Sequence, residues 1–203
     1  MHYLTTNCQS HAAYRDNGLD LRRQVFCMTV GQNYLDNTPM IFMDETTVRL
    51  DMQLKKCWQS RTKRLMLPTT TYPREVVTLY GSVSNATKAP IMWYMSTSTN
   101  AVDFLKFCRQ IRKNLKPQYA NMPVTLVLDN HSAHDCAWSL RRLGWKTARL
   151  LPVFTPDNSS YLNPAEFIWS NLKRNFRYKL AELRIAQRDL RRPDLIRLAE
   201  EAM

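Results

Sequence analysis

Two apolar runs, each ending in an aspartate, constrain the fold more than any other feature of this chain. Met40-Ile41-Phe42-Met43 leads into Asp44, and Val124-Thr125-Leu126-Val127-Leu128 leads into Asp129. Short runs rich in aliphatic and β-branched residues read as strands buried on both faces. Strands of that kind belong to sheets covered by helices. The remaining pattern supplies both partners. Further strands are expected over residues 57–59, 76–83, 91–95 and 146–154, and the first run continues to about residue 50. Helical spacing predicts helices over 21–34, 101–115 and 133–143, the last stopping at Gly144. Asn163-Pro164 opens a long final helix in which Ala165, Ile168, Trp169, Leu172, Phe176 and Leu180 keep one face. Strands that first run together and then alternate with helices predict an α/β fold, a mixed sheet flanked by helices.

Functional groups in such sheets gather beyond the carboxyl ends of the strands, which would bring Asp44 and Asp129 to one edge. Glu166, in the first turn of the last long helix, can join them. Carboxylates within about 4–6 Å of one another oppose each other's ionisation, so the cluster stays charged at neutral pH only beside cations. Hard oxygen donors without cysteine or histidine suit Mg²⁺ or Mn²⁺, and two such ions about 3.5–4 Å apart can flank a phosphodiester in phosphoryl transfer on DNA or RNA. Each acid also has a purely structural reading. Asp44 can end a strand, Asp129 before Asn130 can form an Asx turn, and Asn163-Pro164-Ala165-Glu166 can be a capping box.

Charge points to the same kind of substrate. Lys and Arg number 29 against 17 Asp and Glu, giving a net charge of +12 and a polyanion as the natural partner. One acid-free basic stretch holds Lys55, Lys56, Arg61, Lys63 and Arg64 around Trp58. A second basic track runs through Lys173, Arg174, Arg177, Lys179, Arg184, Arg188, Arg191 and Arg192. DNA-backbone contact and a solvated face are both open for each stretch. Membrane association is not expected, because the chain has neither an apolar run of about 18 residues nor a signal-peptide pattern. Five scattered cysteines without a C-x-x-C pair indicate neither a disulfide framework nor zinc, so reduced thiols and an intracellular protein are expected. His131 and His134 lack the cysteine partners of a zinc site, and His134 is expected to support the wall of the acidic site. Glu45 should face away from Asp44 and is given no catalytic part; Trp93, Trp138, Trp145 and Trp169 are assigned to the core.

Three blocks in order then carry a resemblance. Ile41-Phe42-Met43-Asp44-Glu45-Thr46, Leu128-Asp129-Asn130 with His134, and Leu162-Asn163-Pro164-Ala165-Glu166 with Trp169 and Leu172-Lys173 resemble the signature blocks of mariner-like transposases and related insertion-sequence enzymes. The resemblance spans about residues 39–180 and implies a ribonuclease H-like fold with a five-stranded mixed sheet. It implies that Asp44 bridges two Mg²⁺ or Mn²⁺ ions, that Asp129 and Glu166 each hold one, and that the chemistry is DNA strand cleavage followed by strand transfer. It also implies transposon-end and target DNA as partners, a homodimer, and a nuclear location in a eukaryote or a cytoplasmic or nucleoid one otherwise.

Two departures accompany it. The 36 residues between Asp129 and Glu166 (166 − 129 − 1) exceed the spacing of the best-known members, a cheap lengthening if it falls in the loop near Asp157. Only 43 residues precede Asp44, too few for the helix-turn-helix units that bind transposon ends, so a fragment, a degraded copy or a repurposed gene is expected. The expected organisation is a lead-in over 1–38, a catalytic domain over 39–183 and a basic helical tail over 184–203. A purely hydrolytic nuclease of the same fold and a non-catalytic DNA-binding derivative are the competing functions.

Overall fold

A computed structural model of the chain describes residues 18–52, 75–131, 134, 150–186 and 190–203. The expected strand over 57–59, the helix over 133–143 and the start of the strand over 146–154 lie outside these residues, apart from His134. So do the basic group Lys55, Lys56, Arg61, Lys63 and Arg64, the tryptophans Trp58, Trp138 and Trp145, and Arg188.

Helix α1 (Leu19–Leu35) starts two residues before the expected bound and ends at Asp36. Asn37 takes φ 52, a left-handed turn that asparagine tolerates, and Pro39 then admits the chain to the sheet. Strands β1 (Met40–Arg49), β2 (Val76–Ser84) and β3 (Ile91–Ser96) form an antiparallel meander. Helix α2 (Ala101–Lys113) leads to β4 (Val124–Leu128), parallel to β1, and β5 (Leu150–Phe154) adds in parallel to β4. Among the described residues the sheet is therefore mixed and five-stranded, in the order β3-β2-β1-β4-β5. Pro152 fits in β5 because that strand lies at an edge among the described residues, where one row of N–H groups needs no ladder partner.

Strand alternation divides the core into two layers, one on each face of the sheet. Ile41, Met43, Tyr80, Leu126 and Leu128 pack with Phe104, Phe107, Cys108 and Ile111 of α2 on one face. On the other face, Val48, Leu50, Val77 and Leu79 meet two helices, α3 (Ala165–Ile185) and α4 (Arg192–Ala202). Helix α2 begins where the Asn100 side chain accepts the Asp103 N–H, and stops at Asn114, short of the expected residue 115. Leu115 has left the helix to bridge Thr87.

Arg184 departs from its expected place on a basic surface track. It is buried and donates from Nη2 to the Leu50 carbonyl at the end of β1. The α3 face that carries Trp169, Leu172, Phe176 and Leu180 inward turns Arg184 inward as well, where it satisfies a carbonyl that the sheet leaves open. Helix α4 starts at Arg192, with Pro193 in its first turn; the Asp194 N–H bonds the Arg191 carbonyl and the Arg191 N–H bonds the Asp194 carboxylate. Leu195, Leu198, Ala199 and Ala202 of α4 are buried in the same layer as α3.

Candidate active site

Parallel register brings the two aspartates level. Met40 pairs with Thr125 and Phe42 with Val127, a constant offset of 85 (125 − 40 and 127 − 42), which carried two residues further sets Asp44 opposite Asp129. Of the two readings of Asp44, the one in which it ends its strand fails, and the run expected to continue to about residue 50 does so. β1 runs on to Arg49 against β2, and it is β4 that stops at Leu128. Asp44 thus stands where β1 loses its parallel neighbour, on a strand held rigid from the other side.

Pairing with β2 fixes which face each acid takes. Asp44 lies opposite Gly81, and an added Cβ at Gly81 would come within 2.3 Å of the Trp169 ring, so Asp44 belongs to the face that α3 covers. Glu45 lies opposite Tyr80, on the α2 face, as expected from alternation. Only glycine opposite Asp44 lets the indole of Trp169 press onto the backbone of β2. Trp169 is one turn beyond Glu166, so this close approach also sets how near the head of α3 stands to Asp44.

Asn163 makes the second link between β1 and α3. Its buried side chain donates from Nδ2 to the Met43 carbonyl at 2.9 Å and accepts the Ala165 N–H at 3.1 Å. These bonds grip the residue before Asp44 and the residue before Glu166. The capping-box reading is not realised: Pro164 is the N-cap residue, and the Asn163 side chain accepts the Ala165 N–H rather than trading bonds with Glu166. Glu166 remains half-buried in the first turn of α3, where the positive end of the helix dipole favours negative charge.

The acids sense one another. Burial, then the charges of Glu166, Glu45 and Asp129, push the pKa of Asp44 up to about 7, against a smaller opposing hydrogen bond from the Glu45 backbone. Asp129 moves the other way: hydrogen bonding from His134 and the His131 N–H holds its carboxyl below the ordinary range despite partial burial. The His131 N–H bond, at 3.1 Å to Oδ1, is an Asx-type contact, so the structural reading of Asp129 holds alongside any functional one. Asn130 tethers the loop after β5 by donating to the Thr155 carbonyl at 3.1 Å and to Asp157 at 3.3 Å.

Behind Asp129 lies a group that sequence reasoning only half recognises. His134, 1% exposed, has Nδ1 3.0 Å from Asp129 Oδ1 and Nε2 2.6 Å from Glu45 Oε1, with its ring against Phe104. Burial alone would favour loss of its proton, but the bonds to Asp129 and Glu45 outweigh that and push its pKa up to about 10. His134, expected to support the wall of the acidic site, lies against Asp129, and Glu45, expected to stand apart, is bonded to His134. Alternation says which face Glu45 takes, not which residue waits behind that face.

Among the candidate DNA contacts, Arg174 is exposed and Lys173 and Arg177 are half-exposed along α3, opposite its buried stripe. No helix among the described residues is long and apolar enough to cross a membrane.

A mixed five-stranded sheet with aspartates level on its central parallel pair, and a glutamate at the head of the covering helix, defines a ribonuclease H-like domain. Known proteins bear this out. The family model of the DDE superfamily endonucleases matches residues 39–186. No curated protein sequence matches the chain. Its fold is similar to that of a pre-cleavage Mos1 transpososome (TM-score 0.64, 13% identity, 99% of this chain and 57% of the other). It is similar to the Mos1 mariner paired end complex with Mn (TM-score 0.63, 15% identity, 91% of this chain and 54% of the other). It is also similar to the catalytic domain of Mos1 mariner transposase (TM-score 0.58, 14% identity, 92% of this chain and 81% of the other). The chain spans little more than half the length of the first two. It belongs to the DDE superfamily endonucleases, with the fold of a mariner transposase catalytic domain.

Proposed function

We propose that the chain cleaves DNA strands and transfers the freed 3′ end to target DNA, with Asp44, Asp129 and Glu166 holding two Mg²⁺ or Mn²⁺ ions. The register that sets Asp44 opposite Asp129, with Glu166 raising the pKa of Asp44, carries this reading. The donor set fits a hard divalent cation: the three groups are carboxylates, and Asp44 at about 7 carries negative charge that its surroundings do not compensate. Bound there, such ions would activate the attacking oxygen and stabilise the leaving one.

The chain's own residues supply position and charge. Asn163 and Trp169 fix Glu166 relative to Asp44, which excludes the ångström-scale looseness that costs phosphoryl transfer so heavily. The half-exposed basic face of α3, with Lys173, Arg174 and Arg177, is suited to phosphate contacts that orient the duplex without reading its sequence. Solved relatives include a paired-end complex with a left transposon end and a strand transfer complex. By that likeness the substrates are transposon-end and target DNA, the working form is a homodimer, and the setting is intracellular, nuclear in a eukaryotic host.

The test is cleavage of labelled duplex DNA by the purified chain in Mg²⁺ or Mn²⁺ beside Asp129→Asn. Cleavage should fall at least about 100-fold in the variant, the scale on which removing one group that stabilises the transition state acts. Equal cleavage by both proteins overturns the reading. Products that are nicked but never joined to a second duplex would favour the purely hydrolytic nuclease.

A further inference from the structure

We propose that Glu45, acting through His134, is a positioning residue for Asp129, so that two adjacent residues of β1 serve one metal site from opposite faces of the sheet. This rests on the reading of Asp129 as a metal ligand. Asp44 reaches the site directly on the α3 face, while Glu45 reaches it from the α2 face, around the end of β4.

The geometry joins the three groups into a chain, in which His134 Nδ1 also lies 3.1 Å from the Asp129 backbone carbonyl. Glu45 Oε1 and Asp129 Oδ1 sit at 2.6 and 3.0 Å from the two nitrogens of one imidazole, so a ring carrying both N–H groups donates to both carboxylates. The Glu45 side chain is 10% exposed and that of His134 1% exposed, whereas Asp129 is 49% exposed. The inner end of the chain is therefore anchored in the core and the outer end faces solvent, where substrate and cation arrive. Phe104 of α2, with its ring centre 4.7 Å from that of His134, blocks the imidazole from turning away. Asp129 sits just past the end of β4, where the sheet no longer restrains it, so His134 and the His131 N–H supply the restraint instead.

A different role competes for the same three residues, since their ligand atoms all lie within 4.8 Å of one another, close enough to surround an ion. Liganding by His134 would require one ring nitrogen to give up a carboxylate it already meets, in a place closed to solvent. Holding the oxygen of Asp129 costs the molecule no such exchange. Groups that orient a ligand from behind commonly change metal affinity by about 10–100-fold when removed.

The experiment measures Mn²⁺ binding to the whole chain by the electron paramagnetic resonance of free Mn²⁺, with a thermal melt of every variant. Glu45→Ala should weaken Mn²⁺ binding about tenfold and Glu45→Gln, which still bonds His134, should recover most of it. Raising Mn²⁺ should restore DNA cleavage in Glu45→Ala and leave Asp129→Asn inactive, a pattern that mere loss of stability does not produce. Wild-type affinity in both Glu45→Ala and His134→Asn overturns the inference and leaves the role of Asp129 standing. Binding lost as completely in His134→Asn as in Asp129→Asn, in a protein that still melts cooperatively, makes His134 a ligand and overturns it too. A wild-type chain that binds no Mn²⁺ overturns the functional reading itself.

Discussion

Under the proposed metal site, acidity and cation binding would meet at a single residue, Asp44. Its folded pKa of about 7 stands above the ordinary 3.8, so ionising it costs the folded protein stability as pH rises from about 4 to 7, and the full cost remains above that. His134 acts in the same direction at higher pH: its stabilisation is complete below 6.5 and is lost as pH rises towards about 10. Asp129, with its pKa lowered, stabilises above the ordinary carboxylate range and loses that contribution on acidification. A cation beside Asp44 removes the first cost only where Asp44 is ionised. Mn²⁺ should therefore raise the melting temperature more at about pH 8 than at about pH 5, and Asp44→Asn should flatten the difference. Thermal melts at both pH values, with and without Mn²⁺, check this, and an equal Mn²⁺ effect at both would break the link between Asp44 and the ion.

The elements that matter most are β2 and α3, because their contact sets the distance across the site. The indole of Trp169 occupies the space where a side chain at position 81 would stand. Gly81→Ala should destabilise the fold by about 1–3 kcal/mol, the usual cost of overpacking, and should lower cleavage by pushing the head of α3 away from Asp44. Replacing the indole with a smaller ring should relieve the clash, so Gly81→Ala/Trp169→Phe should be more stable than the sum of its single variants predicts. Denaturant melts of the four proteins measure this coupling, and strict additivity would show that the ring does not sense position 81. Asn163 contributes the other half of the registration, joining β1 and α3 through one buried amide.

Over the whole molecule, charge is distributed by burial as much as by composition. Of the basic residues in the carboxyl-terminal helices, Arg184 is spent inside on the Leu50 carbonyl and Lys179 pairs with Glu201 at 3.1 Å. Lys173, Arg174 and Arg177 stay on the accessible face of α3, beyond the glutamate at its head. Replacing those three with Gln should weaken duplex DNA binding uniformly across sequences and reduce the salt dependence of affinity by about 0.9 for each phosphate no longer neutralised. Fluorescence anisotropy at a series of salt concentrations reads both quantities. An unchanged slope would move the DNA track elsewhere on the surface.

Much of this architecture is legible in the sequence. Apolar runs mark β1 and β4 because a buried strand needs apolar side chains on both faces, and helical spacing marks α2 and α3 because each buries a single stripe. Strand alternation sends Asp44 and Glu45 to opposite faces, and three motif blocks name the carboxylates. Other features depend on distances between residues remote in sequence, which no local pattern encodes. The offset of β1 against β4 makes Asp44 and Asp129 level, Gly81 makes room for Trp169, and Asn163 clasps two elements 120 positions apart. Arg184 looks like any other base on a helix until the fold turns it towards an open carbonyl, and Glu45 looks idle until His134 closes behind it. Side-chain chemistry and periodicity are local and were determined by the chain alone; which groups meet was decided only by tertiary packing, because long-range register and close approach arise when the layers assemble.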